Sequence, residues 1–459
     1  MGTKKSLLQG APIKNSFAQL GTTRTLLLGL QHVFAMFGAT ILVPLITGLS
    51  VQVTLIGVGV GTLVFHFFAK GKVPVFLGSS FAFLVGIRLI TDAEHGIFAG
   101  SGMSQTEMLS YATGGILVAG LVYLVLALIV KLAGVQRVMK FMPPVVTGPI
   151  VILIGVMLAP FAISMSSSNM LLAFLSLVIV IVASVWGKGM IKVIPLVLGM
   201  LGGYAIALIM NATGMTNADG SAILEFSRAA EASIVGLPPF MLPRFNLLAI
   251  LIMVPFAFAT IAEHIADMVI LSNVCDEDFT KSPGLVRTLI GDGLATVFSG
   301  FIGAPATTTY SENVGVVVLT KIQDAKVVIL AAIYATVLGF LPIFAEIVYS
   351  IPEAVVGGVS FVLYGMIAAV GIRSLVENQV DIGKTKNLMI VAVIMVTGLG
   401  LRFGPTIAVT LGEISLPLDR LGVAIAAILG ILLNIILPEE DHLEKDIHLV
   451  EEEAEEKVA

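Results

Sequence analysis

The chain has 459 residues, of which 57% are hydrophobic and only 12% charged, with a mean hydropathy of +1.04. Soluble domains carry about a quarter charged residues, so this composition excludes an ordinary soluble protein and points to a polytopic integral membrane protein. The formal charge of −5 says little about partners, because acid is concentrated in a solvated tail from Glu439 to Ala459, and a single cysteine, Cys275, excludes an intramolecular disulfide.

Residues 1–24, with Lys4, Lys5 and Lys14, read as a cytoplasmic N-terminal segment. The apolar run behind it is longer than the core of a cleavable signal, so the first crossing is expected to be retained. Runs near the ~20 residues that a spanning helix needs follow at 25–48, 52–69, 112–133, 144–165, 170–186, 192–212, 247–273, 326–346, 351–371, 388–402 and 420–437. Three weaker runs, at 74–91, 285–302 and 304–320, carry Ser, Thr, Asp or Glu. An all-α polytopic membrane protein of about 14 transmembrane segments results, with a long loop at 213–246 and an acidic tail at 438–459.

Basic residues test this count, because cytoplasmic loops hold the excess of Lys and Arg. They cluster after even crossings: Lys70 and Lys72, then Lys131, Arg137 and Lys140, then Lys188 and Lys192, then Lys281 and Arg287, then Lys321 and Lys326, then Arg373, Lys384 and Lys386. Odd gaps are nearly bare, with Arg88, Arg228, Arg244, Arg402 and Arg420 at edges or in the long loop. Both termini are therefore expected on the cytoplasmic side.

Pro143 and Gly148 open the fifth crossing with the spacing that Pro352 and Gly357 repeat in the twelfth, and Gly148/Gly155 and Gly358/Gly365 match as well. Seven crossings separate the two, and an odd repeat unit in tandem must invert, which is the 7+7 inverted-repeat plan of secondary transporters. The third and tenth crossings occupy equivalent places in the two halves. Each breaks at a proline with small hydroxyl residues and an aromatic: Val73 to Phe81, and Ala304 to Asn313. Paired interrupted segments point to a substrate site at the bilayer midplane. Two short strands are expected there, Ala304 to Thr309 pairing with Pro74 to Gly78, because backbone at membrane depth must be satisfied internally.

An ionisable group inside a span is costly unless it is paired or lines a cavity, so it reads first as functional. Glu263 and Asp267, four apart in the eighth crossing, share a helix face. Two acids so close suit proton or cation handling, though a polar pair gluing helices has the same spacing. Glu312 follows the polar run Thr307 to Ser311; it reads as a ligand group or as a helix cap. Phe81 and Tyr310, one in each broken segment, read as walls for a flat ligand or as core aromatics. Asp292, in the ninth crossing, fits a proton relay or a structural role, and His32 and His264 fit proton carriers or satisfied core histidines. The Gly57-Gly59-Gly61 stretch reads as helix packing. No metal-ligand spacing, phosphate loop or nucleophile triad appears, and Lys321 and Lys326 are too few for a nucleic-acid surface.

Four motifs in order, Gln31 to Thr40, Leu77 to Phe83, Ile261 to His264 and Tyr310 to Val316, make the chain resemble the nucleobase-ascorbate transporter (nucleobase:cation symporter) family, with similarity running from about residue 25 to 437. What the resemblance implies is a core domain (25–133 and 247–346), a gate domain (144–212 and 351–437) and dimerisation through the gate. It also implies a nucleobase pocket in which Glu263 and Glu312 accept hydrogen bonds from the base, completed by Phe81 and the backbone around Tyr310 and Ser311. Glu312 favours a pyrimidine, since purine-selecting members usually have Gln there. Asp267 departs from the His frequent in uracil-transporting members and is common in xanthine and urate transporters, and Ser311 replaces a frequent Gly.

The expected function is a proton-coupled symporter importing uracil into the cell across its cytoplasmic membrane, with Glu263, Asp267, Asp292 and His32 on the proton side and no cofactor beyond the proton. A xanthine or urate symporter on the same scaffold is the alternative, and an inorganic anion transporter a more distant one. Neither an enzyme's catalytic constellation nor a channel's continuous pore is visible in the sequence.

Overall fold

The computed structural model describes residues 12–438 apart from 95, 136, 138, 139, 141, 142, 406, 412, 413 and 420. The stretch before residue 12 and the acidic tail after 438 lie outside the described residues. In chain order the first half comprises α1 (Ser16–Leu20), α2 (Thr22–Thr47), α3 (Val51–Phe68), β1 (Leu77–Ser79), a 3-10 turn (Phe81–Phe83) running into α4 (Leu84–Thr91), α5 (Gln105–Ala133), α6 (Pro144–Ser166), α7 (Met170–Trp186), α8 (Met190–Val193), α9 (Pro195–Ala212) and α10 (Ser227–Glu231). The second half holds α11 (Leu247–Cys275), α12 (Leu285–Ile302), β2 (Thr307–Thr309), α13 (Ser311–Thr320), α14 (Ala325–Leu338), α15 (Pro342–Tyr349), α16 (Glu353–Glu377), α17 (Thr385–Phe403), β3 (Ala408–Leu411), β4 (Ile414–Pro417) and α18 (Gly422–Ile436).

Among the described residues nine helices are long and apolar enough to cross a membrane, and a bent pair makes a tenth span. The remaining expected crossings fall on shorter pieces: α7, α18, and the two broken segments, in which a strand leads into α4 or α13. Two short strands stand where the prolines of the weak crossings placed them. The run expected as one crossing at 326–346 is instead α14 and α15, bent by 85°. Pro342 has no N–H to continue the ladder, and its ring excludes the preceding turn. A second pair of strands, β3 with β4, forms a hairpin in the interval between the expected crossings at 388–402 and 420–437.

The chain divides into two compact units, Met1–Leu132 with Leu158–Tyr364, and Ala133–Met157 with Gly365–Ala459. In the first, α3 packs against α12 and α14, and α14 also packs on α2. Between membrane helices close approach comes from small residues, and Gly59 shows it: a Cβ there would lie 2.3 Å from Thr336 Oγ1 and 2.6 Å from the Ala332 carbonyl oxygen. In the second unit α17 packs on α18, and Gly398 receives the Leu153 side chain.

The segment before α2 is strapped to loops of the second half. Ile13 bridges to Ile322, with its N–H donating to Lys321 O (3.0 Å) and its carbonyl accepting from Gln323 N–H (2.9 Å). Lys14 pairs with Glu277. The backbone N–H and hydroxyl of Ser16 both donate to Asp324 Oδ2 at 2.7 Å, while Asp324 Oδ1 caps α14 at Lys326 N–H. Ser16 and Asp324 are buried, and a hydrogen bond to a charged group contributes about 1.5–3 kcal/mol. Ser16→Ala is therefore expected to lower the unfolding temperature measured in detergent, with uptake retained below it; an unchanged melting curve would show that the strap contributes nothing.

Candidate functional site

The two broken segments meet in an antiparallel ribbon, with Leu77 opposite Thr309, Gly78 opposite Thr308 and Ser79 opposite Thr307. Its ends are closed by Ser80 N–H donating to Ala306 O (2.8 Å) and Tyr310 N–H donating to Phe76 O (3.0 Å). One threonine closes each outer edge. Thr62 on α3 accepts from Leu77 N–H (3.0 Å) and donates to Leu77 O (3.2 Å). Thr296 on α12 likewise accepts from Thr307 N–H (3.3 Å) and donates to Thr307 O (3.1 Å). A hydroxyl serves as donor and acceptor at once, so two side chains complete a ribbon that has no water to turn to.

Each strand leads into a helix start that lacks a side-chain cap: the 3-10 turn at Phe81 after Ser80, and α13 at Ser311 after Tyr310. Such N-termini present unpaired N–H groups and the positive end of the helix dipole. Tyr310 holds the two starts together. Its side chain is 2% exposed, its ring lies over Gly78, and its hydroxyl donates to Ser79 O at 2.8 Å. The Ser79 hydroxyl in turn donates to Thr40 O on α2 at 2.9 Å. Phe81 stacks on the Tyr310 ring, 6.3 Å between centroids and 13° between planes, and stays half-buried.

Two of the acids arrive from α11. Asp267 accepts from Thr309 Oγ1 at 2.5 Å and from Ser311 Oγ at 3.2 Å, so it clamps α11 to both sides of Tyr310. Glu263 stands one turn earlier on the same face, and Glu312 lies in the first turn of α13; both are half-buried. Glu263 is within electrostatic reach of Asp267, Glu312 and Asp292. Phe81, Glu263, Asp267, Tyr310, Ser311 and Glu312 are thus gathered around one junction of ribbon and helix starts.

The other two expected residues stand behind this front. His32, 2% exposed on α2, has Nδ1 3.1 Å from Asn313 Nδ2, and the same amide donates to His32 O at 3.1 Å. Asp292 on α12 faces His264, with Oδ2 and Nδ1 3.0 Å apart and both side chains fully buried. Thr309, Asn313, Thr62 and Thr296 were missed by sequence reasoning. Thr309 and Asn313 lie in the polar run from Thr307 to Asn313, which was signal enough to mark the segment but not their roles; Thr62 and Thr296 are single hydroxyls in apolar helices and gave none.

Residues 23–407 match the Permease family. The uracil permease of Bacillus subtilis is 37% identical, over 91% of this chain and 93% of its own length. The uracil permease of Bacillus caldolyticus is 39% identical, over 90% and 91%. Among solved structures, the transmembrane domain of the cyanobacterium bicarbonate transporter BicA matches with a TM-score of 0.61 at 15% identity, covering 92% of this chain and 99% of that one, a likeness of fold alone. The protein is a multi-pass membrane transporter and not an enzyme, and it belongs to the permease family, as a nucleobase-ascorbate transporter.

Proposed function

We propose that the protein imports a nucleobase, uracil, together with a proton across the cytoplasmic membrane by alternating access. The observation that carries this reading is the Asp267 clamp on Thr309 and Ser311, which brings the Glu263 face of α11 to the uncapped start of α13 and to Glu312. Uracil is flat, offers two lactam N–H donors and two carbonyl acceptors, and meets its complements here. Carboxylates of Glu263 and Glu312 accept, N–H groups at the helix starts donate, and Phe81 supplies a stacking face. The relatives' names support the same substrate.

Asp267 also bears on the choice of base. It is the residue that favours xanthine or urate in the sequence, yet each of its oxygens already accepts from a side-chain hydroxyl, Thr309 of the ribbon and Ser311 of α13, so it is oriented toward the protein's own backbone junction. An inorganic anion is disfavoured by two acids at the site. Glu263 and Asp267 carry the coupled proton in this proposal, with Asp292 and His32 behind them through His264 and Asn313. Fourteen crossings in two inverted halves are supported by the ribbon edges, where Thr62 and Thr296 make the same two bonds in equivalent places. Core (25–133 and 247–346) and gate (144–212 and 351–437) domains, a homodimer through the gate, and cytoplasmic termini complete the reading.

One proton entering down 100 mV supplies about 2.3 kcal/mol, or about fifty-fold accumulation at 1.4 kcal/mol per decade. Proteoliposomes with an alkaline interior are expected to accumulate labelled uracil, to lose accumulation when the pH gradient is collapsed, and to be competed by excess unlabelled uracil more strongly than by xanthine or urate. Stronger competition by xanthine or urate would transfer the proposal to a purine; uptake indifferent to the gradient would remove the proton.

A further inference from the structure

His264 follows Glu263 directly, so its side chain leaves α11 about 100° away, on a face adjoining that of Glu263 and Asp267. That second face has its own anchors. Thr260, one turn before His264, receives the Tyr123 hydroxyl of α5 at 2.5 Å. His264 Nδ1 lies 3.0 Å from Asp292 Oδ2 of α12, and the Phe65 ring of α3 stands edge-on to the imidazole at 6.1 Å between centroids. Both His264 and Asp292 are 0% exposed, and among the described residues their polar atoms meet no hydrogen-bond geometry, so the close His264–Asp292 contact is the polar contact each has. Each is the other's compensation for burial. As imidazolium with carboxylate, or as imidazole with carboxylic acid, the pair carries no net charge.

Beyond its place behind the coupling acids, this pair can act on the helix itself, since His264 leaves α11 on the face adjoining that of Glu263 and Asp267. An α-helix carrying acids on one face can turn about its axis, and a turn of a few tens of degrees carries Glu263 away from the α13 start. The Asp267 clamp resists that turn from one side. We propose that His264 is a positioning residue: held against Asp292, it fixes the rotation of α11 from the adjoining face and thereby aims Glu263 at the substrate. Two rails, Asp267 with Thr309 and Ser311, and His264 with Asp292, hold the helix between α12 and the ribbon. The substrate part of this inference rests on the nucleobase reading above; the helix-rotation part does not.

The test separates the two. In proteoliposomes, His264→Leu raises the KM for uracil about tenfold or more, the scale of about 1.4 kcal/mol, with Vmax changed less than KM. His264→Gln, whose amide can still donate to Asp292, restores most of the affinity. A purely structural filler would be served by Leu at least as well as by Gln. Should the single Leu variant fail to insert, the double variant His264→Leu/Asp292→Leu removes both polar groups together, and replacing a buried pair by apolar groups is often tolerated; a raised KM in it supports the proposal and a wild-type KM overturns it. The substrate-independent readout is oxidative cross-linking of Asp267→Cys with Thr309→Cys in a Cys275→Ser background. Adding His264→Leu lowers the yield several-fold and adding His264→Gln does not. Equal yields in all three overturn the positioning role. If the wild-type protein takes up no uracil, the substrate assignment fails and the cross-link alone decides the role of His264.

Discussion

Glu263→Gln is expected to abolish uracil accumulation while the protein still reaches the membrane in wild-type amount. The amide has nearly the shape of the acid, so packing on α11 is preserved and a folding defect is not anticipated. What changes is chemistry. A carboxylate offers acceptor lone pairs only, whereas the amide turns one of its two oxygens into a donor. A base N–H that met an acceptor now meets either a neutral carbonyl or another N–H. Losing a charge-assisted hydrogen bond costs about 1.5–3 kcal/mol, which is about ten- to a hundred-fold in affinity. The amide also takes up no proton, so whatever binding survives is uncoupled from the gradient. Uptake against a gradient is accordingly lost, and exchange of labelled for unlabelled uracil at high concentration falls less. Wild-type accumulation in this variant would remove Glu263 from both roles.

The acids were legible in the sequence because they violate their surroundings, and the ribbon because prolines break two spans at matching places. Their assembly was less legible. Periodicity puts Glu263 and Asp267 on one face of α11, but nothing local says that the face meets Thr309 and Ser311, 42 and 44 positions away from Asp267. Partners at that separation are set by tertiary packing. His264 was read as a proton carrier or a satisfied core histidine; it lies 3.0 Å from another buried titratable group, Asp292, on a different helix. The bend between α14 and α15 was hidden for another reason. Gly339 and Pro342 sit in an otherwise apolar run, and hydropathy averages over them, so one long crossing was expected where the proline splits two helices. The β3–β4 hairpin lay in a short interval between two strong spans, where a loop is the ordinary expectation.

Gly78→Ala is expected to be among the most damaging single changes outside the acids, although it adds only a methyl group. A Cβ at this position would lie 2.1 Å from Cε2 and Cζ of Tyr310, well inside contact distance, so either the strand or the ring must move. The strand is held: Leu77 is bonded on both backbone groups to Thr62, and Ser79 to Thr40 and to the Tyr310 hydroxyl. The ring is held by that same hydroxyl bond and by Phe81 stacked upon it. Overpacking a rigid site costs about 1–3 kcal/mol, and an orphaned buried hydroxyl about 1–3 kcal/mol more. Because the Tyr310 backbone joins β2 to α13, displacing the ring also shifts Ser311 and Glu312. The expected result is a lower melting temperature together with loss of uracil binding. The steric account makes a sharper demand: in Gly78→Ala/Tyr310→Leu the ring is gone, so the alanine adds little further damage, and the double variant is more stable than the sum of the two single losses. Strict additivity in that cycle, or a wild-type melting curve for Gly78→Ala, would mean that the tyrosine ring does not rest on the ribbon.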